Sequence, residues 1–232
     1  MLNHTKQKCF LIYKTIKTLD TNFHFSRKMP KHQEFERHEI IDTGTSKLVT
    51  VQGNAHLLEL LHLCLKDIEG KLLEKPTIVV YGKECHQQRN VAFFSDTVPH
   101  YTYSNKAMLA QPLTENLTNL MNTINTLMNV DVNGILVNEY ENGSNYISQH
   151  SDDEKELTAN STVITVSLGA ERELRIVHKP THKQILRIPL KPGLIYSMQG
   201  KFQKEFTHGI PFTKLPVGRR VSFTFRTHAI KI

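Results

Sequence analysis

An α+β fold, with a double-stranded β-helix (jelly-roll) core behind supporting N-terminal helices, follows from three features of the sequence. Apolar residues repeat with a helical period in the first half of the chain, near residues 54–70 and 112–128. After Asp131 the pattern changes to about eight short β-branched or aromatic runs separated by turn residues, the spacing of a two-sheet jelly roll. At 232 residues with 39% hydrophobic side chains, the chain can fill one sizeable core.

Residues 1–48 carry lysine, histidine and polar side chains with little periodicity. They read as a basic, poorly ordered extension with a linker at Met29-Pro30-Lys31-His32. The run Phe10-Leu11-Ile12-Tyr13 between Lys8 and Lys14 is either a docking peptide for a protein partner or an incidental apolar patch. Residues 49–232 form the expected domain, divided into 49–133 (helices and a recognition segment) and 134–228 (the jelly roll).

Leu57, Leu58, Leu60, Leu61, Leu63 and Leu65 predict an apolar helix, with Asn54 as its N-cap and Gly70 beyond its end. Ile78–Tyr81 predicts a short strand stopped by Gly82. A second helix follows Pro112, where Leu113, Leu117, Leu120, Met121, Ile124, Leu127 and Met128 share one face. Strands are then expected at 134–140, 144–150, 162–167, 172–178, 185–190, 193–198, 205–210 and 219–227. Asn142-Gly143 is the strongest hairpin signal among their turns.

Composition narrows the function. Cys9, Cys64 and Cys85 are odd in number, widely spaced and without a CxxC pair, so they suggest neither a disulfide framework nor a zinc knuckle. No apolar run approaches the roughly 18 residues of a membrane span, and the N-terminus lacks the pattern of a secretory signal. An intracellular monomer, nuclear or cytoplasmic, is the expectation. The net charge of +7 is unevenly spread: residues 138–160 hold six acids against one lysine, while 201–232 hold seven bases against one glutamate. A basic perimeter around an acidic centre suits a polyanion that carries a cationic reactive group.

The acidic centre is the stretch Asn138–Glu156, NEYENGSNYISQHSDDEKE. His150 and Asp152, two apart on an extended segment, point to one face and can share a metal ion. His-x-Asp is a weak signal alone. A third ligand from another strand would complete the two-histidine, one-carboxylate face of a non-haem Fe(II) oxygenase. His208, in EFTHGIP, is the best placed, with His178 and His182 as rivals beside Lys179-Pro180. In Arg220–Arg226, alternation puts Val221, Phe223 and Phe225 on one face and Arg220, Ser222, Thr224 and Arg226 on the other. Two same-face guanidinium groups can close on the two ends of a small dicarboxylate. Iron ligands with such a clamp point to 2-oxoglutarate as cosubstrate, with O2.

These residues resemble the AlkB-type Fe(II)/2-oxoglutarate dioxygenases that demethylate nucleic-acid bases, and the similarity runs from about Lys66 to Arg226. It includes Asn138-x-Tyr140, the HSDDE of His150–Glu154, the VSLG of Val166–Gly169, the HGIP at His208, and Arg220 with Arg226. The resemblance implies iron on His150, Asp152 and His208, and 2-oxoglutarate held by Asn138, Tyr140, Arg220 and Arg226. Ser222 stands where the family usually has Asn and would leave one cosubstrate contact to water.

On the substrate side the resemblance implies Tyr101, Tyr103 and Ser104, with Tyr103 stacking on the flipped base. Asp153 would recognise the base edge, with Glu154 as the neighbouring alternative; Glu154 and Glu156 otherwise read as acids solvating a turn. Cationic N1-methyladenine and N3-methylcytosine suit such a carboxylate. Asp67–Lys71 aligns with a wedge-bearing hairpin of a duplex-repair branch. Its Glu69 is unsuited to intercalation, which favours single-stranded or distorted nucleic acid. The alternatives are RNA demethylation, hydroxylation of a protein or small molecule, and a non-catalytic binding module.

Overall fold

A computed structural model describes residues 35–80, 82–104, 106–154, 157–158 and 161–229. The expected linker at 29–32, the run at 10–13, Tyr81 and Glu156 lie outside the described residues.

The chain opens with β1 (Arg37–Asp42) and β2 (Ser46–Gln52), followed by α1 (Ala55–Asp67). Next come β3 (Thr77–Val80), β4 (Lys83–His86), β5 (Asn90–Phe94), β6 (His100–Tyr103), β7 (Lys106–Gln111) and α2 (Glu115–Met128). The second half runs through β8 (Gly134–Tyr140), β9 (Ile147–His150), β10 (Val163–Gly169), β11 (Arg172–His178), β12 (Lys183–Leu190) and β13 (Leu194–Gly200). It ends with the short α3 (Phe202–Glu205), β14 (Phe206–Ile210) and β15 (Arg220–Arg226). Among the described residues the strands form a nine-stranded sheet ordered β1-β2-β13-β10-β15-β8-β5-β7-β6, a four-stranded sheet ordered β12-β11-β14-β9, and the separate hairpin β3–β4.

The two longer helices start at side-chain caps. Asn54 caps α1 by accepting the Leu57 N–H at 2.9 Å, and Thr114 caps α2 by accepting the Leu117 N–H at 3.2 Å. Glu115 lies in the first turn of α2, where a carboxylate meets the positive end of the helix dipole. Asn129 closes α2 in the left-handed conformation, with φ 52°. Leu57, Leu60, Leu61 and Cys64 of α1 pack with Leu117, Leu120 and Ile124 of α2 against Ile164, Val166, Val221, Phe223 and Phe225 of the major sheet. On that sheet's other face, Tyr140, Val163, Tyr196 and Met198 meet Leu174, Ile176, Phe206 and Ile210 of the minor sheet. Helices therefore cover one face of the major sheet, and the site lies between the two sheets.

The domain begins earlier than expected. β1 and β2, within or across the boundary set at residue 48, belong to the major sheet, and Leu48 is fully buried. Their signal is weak because a register shift between Glu39 and Ile41 breaks the alternation of β1. The strands between 83 and 111 were not expected either: β5 is buried at every position and so shows no period of two. Asn142-Gly143 is not a hairpin turn, since β8 lies in the major sheet and β9 in the minor one. Gly143 is required there because a Cβ would come within 2.6 Å of the Thr213 carbonyl oxygen. Asp67–Lys71 is the end of α1 and the turn after it, so Glu69 tips no hairpin. No described helix is long and apolar enough to cross a membrane.

Candidate metal centre and cosubstrate cleft

β9 and β14 pair antiparallel with His150 directly opposite His208, which brings the two rings to a centroid distance of 4.4 Å. Asp152 follows two residues beyond His150. His150 Nε2 lies 3.5 Å from Asp152 Oδ1, and His208 Nε2 lies 3.8 Å from Asp152 Oδ2. One ligand atom from each residue falls within 4.8 Å of the others. His178 and His182 do not join them: His178 packs on Phe206 and contacts Thr181 Oγ1 at 2.9 Å, and His182 is exposed in a turn.

The protonation states suit metal binding. His150 Nδ1 lies 2.9 Å from the Ser148 carbonyl, so the N–H is donated there and Nε2 is the ring nitrogen turned toward Asp152. Burial first, then the neighbouring His150, pushes the His208 imidazole down to about 3, so it stays neutral. Burial alone would raise the Asp152 carboxyl, but Arg226 and the two histidines hold it well below the usual carboxylate range.

β15 divides its side chains as expected: Val221, Phe223 and Phe225 join the helix-side core, while Arg220, Ser222, Thr224 and Arg226 line a cleft between the sheets. The cleft opens to solvent at its mouth. At one end Arg226 Nη2 pairs with Asp152 Oδ1 at 2.8 Å. Burial opposes the Arg226 charge, but Asp152, Tyr101 and Glu154 outweigh it and raise its pKa. At the other end Arg220, 1% exposed, donates to Ser167 Oγ at 2.9 Å and sits 5.2 Å from the Tyr140 ring centre. Its Nε and Nη1 have no hydrogen-bond partner. Asn138 and Ser222, adjacent across β8 and β15, lie on the wall between the two ends.

The third wall comes from β6. Tyr101 is 1% exposed, its hydroxyl donates to Glu154, and its ring lies 5.3 Å below the Arg226 guanidinium. Tyr103 also lines the cleft, with the Arg89 guanidinium 5.4 Å from its ring centre. Ser104 occupies the β6–β7 turn with φ 44°, and its carbonyl accepts the Val79 N–H at 3.1 Å. It anchors the turn and does not line the cleft. Asp153 is exposed and does not line the cleft, whereas Glu154 turns to Tyr101. Burial raises the Glu154 pKa against the pull of Arg226. Glu154 is therefore not the solvated turn acid its neighbours suggested.

Residues 48–226 match the 2OG-Fe(II) oxygenase superfamily. The chain belongs to that superfamily. Within it the chain is similar to the DNA oxidative demethylase ALKBH2 of Bos taurus, 28% identical over 181 residues, which are 75% of this chain and 65% of that one. The Homo sapiens protein of the same name is 27% identical over 75% of this chain and 69% of its own length. The alpha-ketoglutarate-dependent dioxygenase alkB homolog 3 of Homo sapiens is 30% identical over 87% of this chain and 74% of its own length. Among solved structures, "The structure of OsALKBH1" shares the fold with a TM-score of 0.54 at 15% identity, covering 78% of this chain and 96% of that one. The oxygenase is therefore of the AlkB type, as the motifs indicated.

The residues fit the cofactors of this superfamily, Fe(II) and 2-oxoglutarate, with O2 as cosubstrate. Two imidazoles and a carboxylate form the facial set of a mononuclear Fe(II) site, which leaves positions for other ligands. A buried guanidinium with unpartnered N–H groups, as at Arg220, suits a carboxylate. Several wall residues of the oxygenase were missed: Thr165, Tyr196 and Arg89, whose Nε donates to Asn138 Oδ1 at 2.7 Å. Thr165 and Tyr196 face the cleft from β10 and β13, where alternation could have flagged them. Arg89 lies just before a strand with no alternation.

Proposed function

We propose that this AlkB-type oxygenase removes methyl groups from N-alkylated bases such as N1-methyladenine and N3-methylcytosine in nucleic acid, with DNA as the first assignment. The observation that carries the reading is the pairing of an iron-binding face with an aromatic wall on the same cleft. Tyr101 and Tyr103 line it, Glu154 accepts from the Tyr101 hydroxyl, and Asp153 is exposed next to Asp152. The relatives named as DNA oxidative demethylases support the choice of DNA.

When bound, iron, 2-oxoglutarate and O2 supply the oxidant: 2-oxoglutarate is oxidised to succinate and CO2, and one oxygen atom enters a C–H bond of the N-methyl group. The carbinolamine then breaks its N–C bond, releasing formaldehyde and the unmodified base. The protein's part is placement. His150, Asp152 and His208 hold the metal. Arg220, with Tyr140 beside it, takes the distal carboxylate of the cosubstrate, and Arg226, Asn138 and Ser222 line the remaining path to the metal. Tyr103 offers a face on which an extruded base can stack. The carboxylates of Asp153 and Glu154 favour a cationic alkylated base over its neutral parent.

One chain contributes every named group, so a monomer suffices, and a nucleic-acid substrate implies an intracellular site in nucleus or cytoplasm. Because Glu69 tips no hairpin, it carries no strand preference. Mass spectrometry of methylated single- and double-stranded DNA and RNA oligonucleotides, incubated with Fe(II), 2-oxoglutarate and ascorbate, tests the proposal against a His150→Ala blank. Loss of 14 mass units per methyl group, about one CH2, is expected from methylated DNA. Unchanged masses throughout the panel would refute the reading, and loss from RNA alone would replace DNA with RNA.

A further inference from the structure

Asp152 lies just past the end of β9, where the ladder that sets His150 against His208 has run out. Its carboxylate has competing partners. Arg226 Nη2 is 2.8 Å away, nearer than either histidine Nε2 at 3.5 and 3.8 Å. A carboxylate free to turn would close onto the guanidinium in a two-point pair, and the iron would lose its only acidic ligand.

The backbone that prevents this is held from outside the site. The Asp152 N–H donates to Gln203 Oε1 at 3.0 Å, and Ser151 Oγ donates to the Phe206 carbonyl at 3.0 Å. Gln203 is itself constrained. Its amide NH2 meets Met198 Sδ at 3.6 Å, Lys179 Nζ donates to its carbonyl at 2.7 Å, and the preceding Phe202 is fully buried. Two residues on, Glu205 accepts from the hydroxyls of Thr43 and Thr45 in the β1–β2 turn. α3 is thus tied to the turn after β11, to β13 and to the N-terminal hairpin, and it leads directly into the strand that carries His208.

We infer that Gln203 is a positioning residue for the iron site: by accepting the Asp152 N–H, it keeps that carboxylate turned toward the two histidines while Arg226 neutralises it. Groups that orient direct ligands typically govern metal affinity by 10–100-fold. The inference rests on the iron site and is independent of which nucleic acid is the substrate.

The test compares Gln203→Met, which keeps length but removes the acceptor, with Gln203→Glu, which keeps an acceptor oxygen. Co(II) binding to the full chain is titrated anaerobically with 2-oxoglutarate present and nucleic acid absent, using the visible absorption of the bound metal. The Met variant should bind Co(II) at least about tenfold more weakly, the Glu variant within about threefold of the parent, and both should melt near the parent without metal. Parental affinity in the Met variant would overturn the inference, as would equal weakening in both variants. Gln203→Ala is read in the same way, and failure of both Met and Ala variants to fold would make Gln203 a structural residue instead. A parent that binds Co(II) normally yet demethylates nothing would refute the proposed function and leave this inference standing.

Discussion

Arg220 and Arg226 share a strand, a face and a residue type, yet they meet opposite surroundings. Arg226 is paired at 2.8 Å with Asp152, and Glu154 adds to the negative charge around it. Arg220 is also buried, but it donates to the Ser167 hydroxyl and lies against the face of Tyr140, and among the described residues it has no carboxylate partner. One end of the cleft is neutralised by the protein's own carboxylate; the other sets a guanidinium against a hydroxyl and a tyrosine face. The cleft is thus balanced at the His150–Asp152–His208 end and cationic at the Arg220 end, a charge pattern that suits an anion at the latter.

The strongest break in this comparison is to remove a direct ligand. His208→Ala should lower both succinate and formaldehyde formation by more than about 100-fold, beyond the usual effect of an outer-shell change. Weakened metal binding should accompany it, measured by the same Co(II) titration.

Leucine substitutions at the two arginines should move the stability of the metal-free protein in different directions. Arg226→Leu strands the buried Asp152 carboxylate and should cost about 3–5 kcal/mol in urea unfolding. Arg220→Leu removes a buried cation that has no carboxylate partner and should leave stability unchanged or raise it by about 1–4 kcal/mol. The same Arg220→Leu change should weaken 2-oxoglutarate binding by about 2–5 kcal/mol, measured by calorimetry. Equal destabilisation by both substitutions would erase the distinction between the two ends.

Acid offers a third comparison, confined to the metal end. His208 protonates near its ordinary value of 6.5 when unfolded but only at about 3 when folded. Between those limits the unfolded chain binds more protons, so stability should rise with pH. The contribution is at most about 1.4 kcal/mol per pH unit. Asp152, depressed when folded, adds a loss of the same sign as pH falls below 3.8. Urea titrations of the metal-free protein from pH 3.5 to 7.5 check this, and His208→Phe should flatten the slope above pH 4.

Much of the grouping of side chains in the cleft was legible because it rests on short-range periodicity. The two-residue period of β15 separated its arginines from Val221, Phe223 and Phe225, and the same period put His150 and Asp152 on one face. The direct pairing of His150 with His208 depends on how two distant strands meet, which no local pattern encodes. The substrate wall was less readable. Asp153 and Glu154 are adjacent and chemically alike, yet the backbone past β9 exposes one and turns the other to Tyr101. β5 lost its signal by being buried on both faces. Glu69 was misplaced because Asp67–Lys71 continues and ends α1, where the aligned hairpin would have needed strands. Gln203 carries no signal in the sequence, since its role exists only through the Asp152 N–H.

The substrate wall should respond most gently. Tyr103→Ala should weaken binding of a methylated oligonucleotide by about 1–3 kcal/mol, the value of one stacked base, while 2-oxoglutarate affinity stays at the parent level. A matched loss of both affinities would mean that Tyr103 supports the cleft as a whole.

A single cleft that couples cosubstrate oxidation to the proposed base demethylation is tested most directly by the ratio of succinate to formaldehyde released when the enzyme turns over on an oligonucleotide containing N1-methyladenine or N3-methylcytosine. A ratio near one is expected, with succinate formation falling sharply when the methyl groups are absent. Succinate produced at the same rate with and without the methylated strand, and no formaldehyde, would contradict it.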